Sequence, residues 1–210
     1  MGVLEEMSEF LQKGKANDVK ALVQKAIDEK IDAKQILEQG LMSGMNIIGE
    51  KFKNNQVYVP EVLIAARAMN AGISILKPLL VQAGVQSKGT VILGTVKGDL
   101  HDIGKNLVKM MMEGKGLEVV DLGSDVPAEK FIATAKEKNA AVIACSALLT
   151  TTMTEMKNVV EKAKESGMRD KLTIMVGGAP VTDAYCQSIG ADIYTADAAS
   201  AADKAVAVFG

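Results

Sequence analysis

Up to about Val85 the apolar residues recur every three or four positions and β-branched runs are absent, whereas from Thr90 onward short apolar runs alternate with helical stretches. The first pattern predicts four helices. Asn17 or Asp18 suits the N-cap of a helix running to about Lys30, and Asp32 suits the cap of another through Ile36, Leu37, Leu41, Met45 and Ile48. Pro60 fits the first turn of a last helix with the stripe Val62, Ala66, Met69, Ile73, Leu76 and Leu80. With a short helix near the N-terminus, these make a small bundle over residues 1–85. Ala65, Ala66, Ala68, Ala71 and Gly72 let a neighbour approach the last helix closely, either another helix or a flat ligand.

The second pattern predicts strands at TVILGTV (90–96), EVVDLG (118–123), AVIACSA (141–147), LTIMVGG (172–178) and ADIYTAD (191–197), with helices between them and one after the last. Five such βα units give a parallel sheet covered by helices on both faces, most simply in the flavodoxin-like (Rossmann-like) order 2-1-3-4-5. The chain is therefore an α/β protein of two domains, 1–85 and 90–210, joined by the polar, glycine-bearing linker 83–89.

Composition narrows the function. With 210 residues, 48% of them hydrophobic, 24% charged and a net charge of -2, the chain falls in the ordinary globular class and carries no basic surplus for nucleic acid. The longest apolar run, Ala140 to Leu149, is half of the about 20 residues a membrane helix needs, and no membrane partner is expected. The start MGVLEEMSEF has no apolar core of a secretory signal, so the expected location is cytoplasmic. Cys145 and Cys186 are too few and too distant for a disulfide framework or a CxxC site and read as buried thiols. One histidine and no cysteine cluster cannot supply a zinc site, so any metal should arrive largely pre-ligated.

That single histidine lies in GDLHDIGKN (98–106), just after the first strand. In the order 2-1-3-4-5 the first and third strands flank the switch point, beyond whose carboxyl ends ligands bind. His101, Ser146 at the end of strand 3 and Gly177-Gly178 at the end of strand 4 then converge on one sheet edge. A lone loop histidine is ordinarily structural, but Asp99, two residues before it, can take the second imidazole N–H as a ligand histidine requires. Asp102 reads as the N-cap of the following helix, and Gly98 and Gly104 either serve turns and packing or clear space for a bulky ligand. Neither GxxxxGK[ST] nor GxGxxG is present, which argues against a nucleotide enzyme. SALLTTTM (146–153) fits a strand end followed by a threonine N-cap, although four hydroxyls in seven residues exceed what one cap needs.

Asp99-x-His101-x-x-Gly104, then Ser146-x-Leu148, then Gly177-Gly178 resemble the cobalamin-binding fingerprint of corrinoid proteins. GMNIIGEKF (44–52) and YVPEVLIAARAM (58–69) resemble the helical cap domain of that family, so the likeness spans nearly the whole chain. It is strongest to the free-standing corrinoid subunits of methylotrophic and O-demethylating methyltransferase systems and to the cobalamin module of methionine synthase.

The resemblance implies base-off binding with His101 as lower axial cobalt ligand, in a triad with Asp99 and Thr152, where methionine synthase has a serine. It implies contacts to the cofactor from Gly98, Leu100, Asp102, Ile103 and Gly104. The displaced nucleotide tail would lie along Ser146, Leu148, Thr150, Gly177, Gly178 and Ala196, and the cap would present Tyr58, Val62, Met69 and Met45. The implied activity is methyl carriage, with cobalt alternating between Co(I) and methyl-Co(III). A substrate-specific methyltransferase would load it from methanol, methylamine, betaine or methoxyaromatic donors. A second methyltransferase would unload it to tetrahydrofolate or a thiol, and a reductive activase would restore it. The linker 83–89 would be the hinge. The alternatives are a cobalamin-binding sensor, the cobalamin subunit of a B12-dependent mutase, and a flavodoxin-like domain with an incidental histidine.

Overall fold

A computed structural model of the chain describes residues 2–210 and separates them into two compact units. The first comprises residues up to Ser87 together with Gly114–Gly116, and the second comprises Lys88–Glu113 and Leu117–Gly210.

In the first unit the helical periodicity produces α1 (Val3–Gln12), α2 (Ala16–Asp28), a short α3 (Ala33–Gln35) that widens into a π-helical turn over Ile36–Met42, α4 (Ser43–Lys53) and α5 (Val59–Gln82). Asp32 caps α3 as expected, its carboxylate accepting from Lys34 N at 2.9 Å and Gln35 N at 3.1 Å. The cap expected at Asn17 or Asp18 is not formed. The helix begins at Ala16 with Lys15 in the cap position, which puts Asp18 in the first turn, where its charge favours the positive end of the helix dipole. The apolar stripes pack inward, with Met7, Leu11, Val19, Leu22, Val23, Ile36, Leu41 and Leu76 buried.

Small residues set how closely these helices approach. A Cβ on Gly72 would lie 2.8 Å from Leu41 Cδ2 and 3.1 Å from Val19 Cγ1, so at Gly72 the close neighbours are other helices. A Cβ on Gly44 would lie 3.0 Å from the Ser8 carbonyl oxygen and 3.1 Å from Leu11 Cδ2. Because the first of these atoms belongs to the backbone of α1 and cannot swing away, Gly44→Val is expected to destabilise this unit by about 1–3 kcal/mol. Denaturant unfolding of the variant checks this, and an unchanged midpoint would show that α1 can move aside.

Helix α5, 24 residues long, is long and apolar enough to cross a membrane by length and composition, a test that a core helix of a soluble bundle also passes. Its positions Val62, Ala65, Ala66, Ala68, Met69, Gly72 and Leu76 are buried, and it continues through Pro78 to Gln82. The proline removes the N–H that would donate to the carbonyl of Ser74, four residues before it, and α5 nonetheless runs on to Gln82.

In the second unit the strands are β1 (Thr90–Thr95), β2 (Glu118–Asp121), β3 (Val142–Ser146), β4 (Thr173–Gly177) and a two-residue β5 (Ile193–Tyr194), all parallel and in the order β2-β1-β3-β4-β5. This is the expected 2-1-3-4-5 topology, with each strand shorter than the segment the sequence marks out. The helices are α6 (Ile103–Gly114), α7 (Ala128–Glu137), α8 (Thr154–Glu165), α9 (Asp183–Ile189) and α10 (Ala198–Val208). Ile92, Phe131, Ile143, Met156, Val160 and Ile174 form part of one continuous buried cluster between sheet and helices. A Cβ on Gly94 in β1 would meet the Phe131 ring at 2.8 Å, so the absence of that atom lets α7 seat its aromatic on the sheet.

The threonine N-cap expected in 146–153 is corrected as well. Helix α8 starts at Thr154 with Met153 before it, and the buried Thr152 hydroxyl is engaged elsewhere.

Candidate functional site

The sheet register aligns the three segments singled out in the sequence, since Thr95 of β1 pairs with Ser146 of β3, which pairs with Gly177 of β4. Their carboxyl ends form one edge, on the side of the β1–β3 switch point. The loop after β1 carries Asp99 and His101 over this edge, and the loop after β3 comes back to meet it.

Asp99 has no exposed surface, yet it carries a carboxylate. Its Oδ1 lies 2.8 Å from His101 Nδ1 and accepts from His101 N at 3.1 Å. Its Oδ2 accepts from Leu148 N at 2.8 Å, Leu149 N at 3.2 Å and the Thr152 hydroxyl at 2.8 Å. Burial alone would raise the Asp99 carboxyl, but the bonds from Leu148, Thr152 and His101 outweigh it and hold the acid well below the usual carboxylate range. A charged acceptor beside Nδ1 fixes the proton on that nitrogen and leaves the lone pair on Nε2. The imidazole itself is half exposed, with 51% of its side-chain surface accessible. The result is a histidine held rigidly on one side and open on the other.

The surroundings are apolar and roomy. Leu100 and Ile103 are exposed to 77% and 76%, and Leu148 and Leu149 are also exposed, in a region where a soluble chain would ordinarily place polar groups. A Cβ on Gly104 would meet nothing within 4 Å, so the space beside the first turn of α6 is open. Gly98, at φ +80°, holds the turn that leads into Asp99.

The other sequence candidates fall as follows. Asp102 sits immediately before α6, its carbonyl accepting from Asn106 N at 2.7 Å and its carboxylate from Asn106 Nδ2 at 3.1 Å. Ser146 and Gly177 are half-buried at their strand ends, while Thr150, Gly178 and Ala196 are exposed in the loops that follow β3, β4 and β5. In the helical unit Tyr58 is exposed and Met69 is buried. Cys145 and Cys186 are both buried free thiols, and burial pushes the Cys145 thiol up to about 12, which leaves it protonated and unreactive at neutral pH.

Three features escaped the sequence reading. The Thr95 hydroxyl donates to His101 O at 2.8 Å. Lys105, 2% exposed, reaches both oxygens of Asp121 at 2.6 and 2.7 Å and Asn106 Oδ1 at 2.7 Å, tying the start of α6 to the end of β2. Burial would raise the Asp121 carboxyl, and the Lys105 and Gly123 N–H donors outweigh that and lower it. Asp125, at φ +56°, accepts from Gly98 N at 2.7 Å. A threonine at a strand end and the glycine-aspartate turn of DLGSD (121–125) are the only sequence traces of these contacts.

Comparison with known proteins places this geometry in a family. A family model described as a B12 binding domain matches residues 89–207, and a second with the same description matches residues 3–77. A dimethylamine corrinoid protein from Methanosarcina barkeri is 45% identical over 97% of this chain and 95% of its own. Among solved structures, the methanol:cobalamin methyltransferase complex from Methanosarcina barkeri superposes with a TM-score of 0.88 at 31% identity, covering 99% of this chain and 79% of that one. A cobalamin-binding protein from Desulfitobacterium hafniense gives 0.79 at 30% identity, covering 96% of each chain.

Proposed function

The chain belongs to the B12-binding family of corrinoid proteins, with cobalamin as its cofactor, and from that premise we propose that it is the methyl carrier of a methylamine methyltransferase system. The observation that carries the reading is the half-exposed imidazole of His101, clamped through Nδ1 by a buried carboxylate so that Nε2 faces away from its anchor. Such a nitrogen suits a metal that arrives with all but one of its positions already filled. The open volume beside Gly104 and the exposed apolar surface of Leu100, Ile103 and Leu148 suit a large flat group with an apolar face.

When bound, cobalamin supplies a cobalt centre able to take up a methyl group from one partner and yield it to another. The chain's own residues ligate, orient and shield. His101 would ligate the cobalt through Nε2, and Asp99 would fix its tautomer. Thr152 and the Leu148 and Leu149 amides keep the Asp99 carboxylate charged and fixed beside Nδ1. Gly98 and Asp102, on the same loop as His101, and Ile103, at the start of α6, would contact the cofactor. Ser146, Thr150, Gly177, Gly178 and Ala196, at or just beyond the ends of β3, β4 and β5, would hold the nucleotide tail.

The partner that loads the carrier is a methyltransferase, and the likeness to a dimethylamine corrinoid protein over nearly the whole chain favours a methylated amine, dimethylamine foremost, as donor. A second methyltransferase with a tetrahydrofolate or thiol acceptor and a reductive activase complete the proposed system, which would operate in the cytoplasm.

The apoprotein is expected to bind one equivalent of cob(III)alamin in the base-off state, and His101→Ala to weaken binding by tenfold or more or to shift the cobalt absorption bands toward a water-ligated form. Unchanged affinity and spectrum in that variant would sink the axial-ligand role. Assaying the reduced holoprotein with cognate methyltransferases against dimethylamine, monomethylamine, trimethylamine and methanol reads the donor, and turnover confined to methanol would overturn the amine assignment.

A further inference from the structure

We infer that Asp125, on the turn after β2, is a positioning residue that presets the His101 loop for its ligand. The inference rests on the reading of His101 as the axial ligand and adds a residue from a different βα unit.

In the loop from Lys97 to His101 the amides of Gly98, Asp99 and His101 and the carbonyls of Asp99 and His101 are engaged, and two of these bonds run to one residue. The Asp125 carboxylate accepts from Gly98 N at 2.7 Å, and the Asp125 amide donates to Asp99 O at 3.0 Å. Asp125 thus grips the peptides on either side of the Gly98–Asp99 link, just ahead of the carboxylate that orients the imidazole. At the far end of the loop the Thr95 hydroxyl holds His101 O at 2.8 Å, and inside it Asp99 N donates to Val96 O at 3.1 Å.

The gripping turn is itself fixed to the sheet. Thr95 N donates to Gly123 O at 2.9 Å, Val126 N donates to Thr95 O at 3.0 Å, and Gly123 N donates to Asp121 Oδ1 at 2.9 Å. Asp121 in turn is locked by the buried Lys105 ammonium. The clamp is therefore anchored to β1, β2 and the start of α6.

The backbone of Asp125 argues that its side chain is there for a purpose. At φ +56° it occupies the left-handed region, where glycine is at ease and an aspartate carries a cost. Asp125 is also exposed, so burial does not explain the choice. What aspartate adds over glycine at this position is the acceptor for Gly98 N. Holding a metal-binding side chain within a fraction of an ångström of its working geometry before the ligand arrives removes the ordering cost from binding.

The test compares Asp125→Gly, which keeps the backbone conformation and deletes the acceptor, with Asp125→Asn, which keeps an acceptor oxygen and tolerates the same φ, and with His101→Ala as reference. Two readouts are taken on the full chain: amide hydrogen exchange of residues 97–101 in the apoprotein, and affinity and absorption spectrum with cob(III)alamin. Asp125→Gly is expected to exchange faster at Gly98 to His101 alone, with an unchanged melting temperature, and to bind about tenfold more weakly. Asp125→Asn is expected to recover most of both. Wild-type affinity and exchange in Asp125→Gly, or a loss that follows general unfolding across the sheet, would overturn the inference while leaving the axial ligand intact. An inert His101→Ala would instead bring down the reading beneath it.

Discussion

Asp99→Ala is expected to destabilise the sheet unit of the apoprotein by about 3–5 kcal/mol, the range found when one partner is removed from a buried charged hydrogen-bonding network. The carboxylate is fully buried and takes five hydrogen bonds, from His101 N, His101 Nδ1, Leu148 N, Leu149 N and the Thr152 hydroxyl. Truncation to alanine removes the acceptor of all five; the Thr152 hydroxyl can fall back on Leu149 O at 3.0 Å, but the two leucine amides have no side-chain freedom with which to seek another. Asp99→Asn should recover only part of the loss, because one of its two terminal atoms becomes a donor facing donors.

The same network fixes a pH dependence. A carboxyl held below its ordinary value contributes stability that is fully present above the unfolded value of about 3.9 and is lost as pH falls through that value toward the folded one. Wild-type apoprotein should therefore lose stability below about pH 4, and Asp99→Ala should show a shallower fall over that interval. Urea unfolding at pH 7 and at successively lower pH measures both quantities. A loss below 1 kcal/mol at pH 7 would mean that the site is not preorganised without its ligand.

That buried carboxylate also marks where sequence reasoning stops. The alternation of short apolar runs with helical stretches narrows the sheet to a few parallel orders with right-handed crossovers, and the simplest of them, β2-β1-β3-β4-β5, is the one found. Asp99, His101 and the hydroxyl at Thr152 stood out as polar residues at strand ends, and the family resemblance gave the triad its pairing. The contacts of Asp125 and Lys105 were not legible. Gly98 and Asp125 are 27 positions apart, and their bond exists only because the turn after β2 folds back across the end of β1. Lys105 looks in the sequence like a solvated helix residue, and only the placement of Asp121 at the end of β2 turns it into a buried cation. The π-helical turn over Ile36–Met42 was hidden for a similar reason, since its apolar positions fit ordinary helical spacing and the backbone adjusts to pack Gly40 and Leu41 against α1 and α5. Local capping preference misled at Asn17 and in the threonine run, where Thr152 serves Asp99 in place of a helix end.

Gly178→Ala is expected to be at least as damaging as the loss of Asp99, although the sequence offers only a commonplace glycine pair. Gly178 sits at φ +133°, a conformation that side chains rarely adopt, and a Cβ there would lie 1.8 Å from the Ala147 carbonyl oxygen and 2.9 Å from its carbonyl carbon. Both atoms belong to the backbone at the end of β3, and Ala147 N is already committed to Gly177 O at 3.2 Å. Relief therefore requires the ends of β3 and β4 to separate, breaking the register that brings Ser146 beside Gly177. The conformational strain alone costs on the order of 1–3 kcal/mol, and the overlap adds to it, so a total near or above 4 kcal/mol places the variant among the rare severe single substitutions. Gly177→Ala is the internal control: its Cβ would meet only Thr195 O at 3.5 Å, an ordinary contact, and stability should change by less than about 1 kcal/mol. If the two glycines line the cofactor's tail, Gly177→Ala should lose affinity for cob(III)alamin while the fold persists, and Gly178→Ala should lose fold and affinity together. Equal stability of the two variants in denaturant would show that the strand ends yield without cost and that the pair has no structural division of labour.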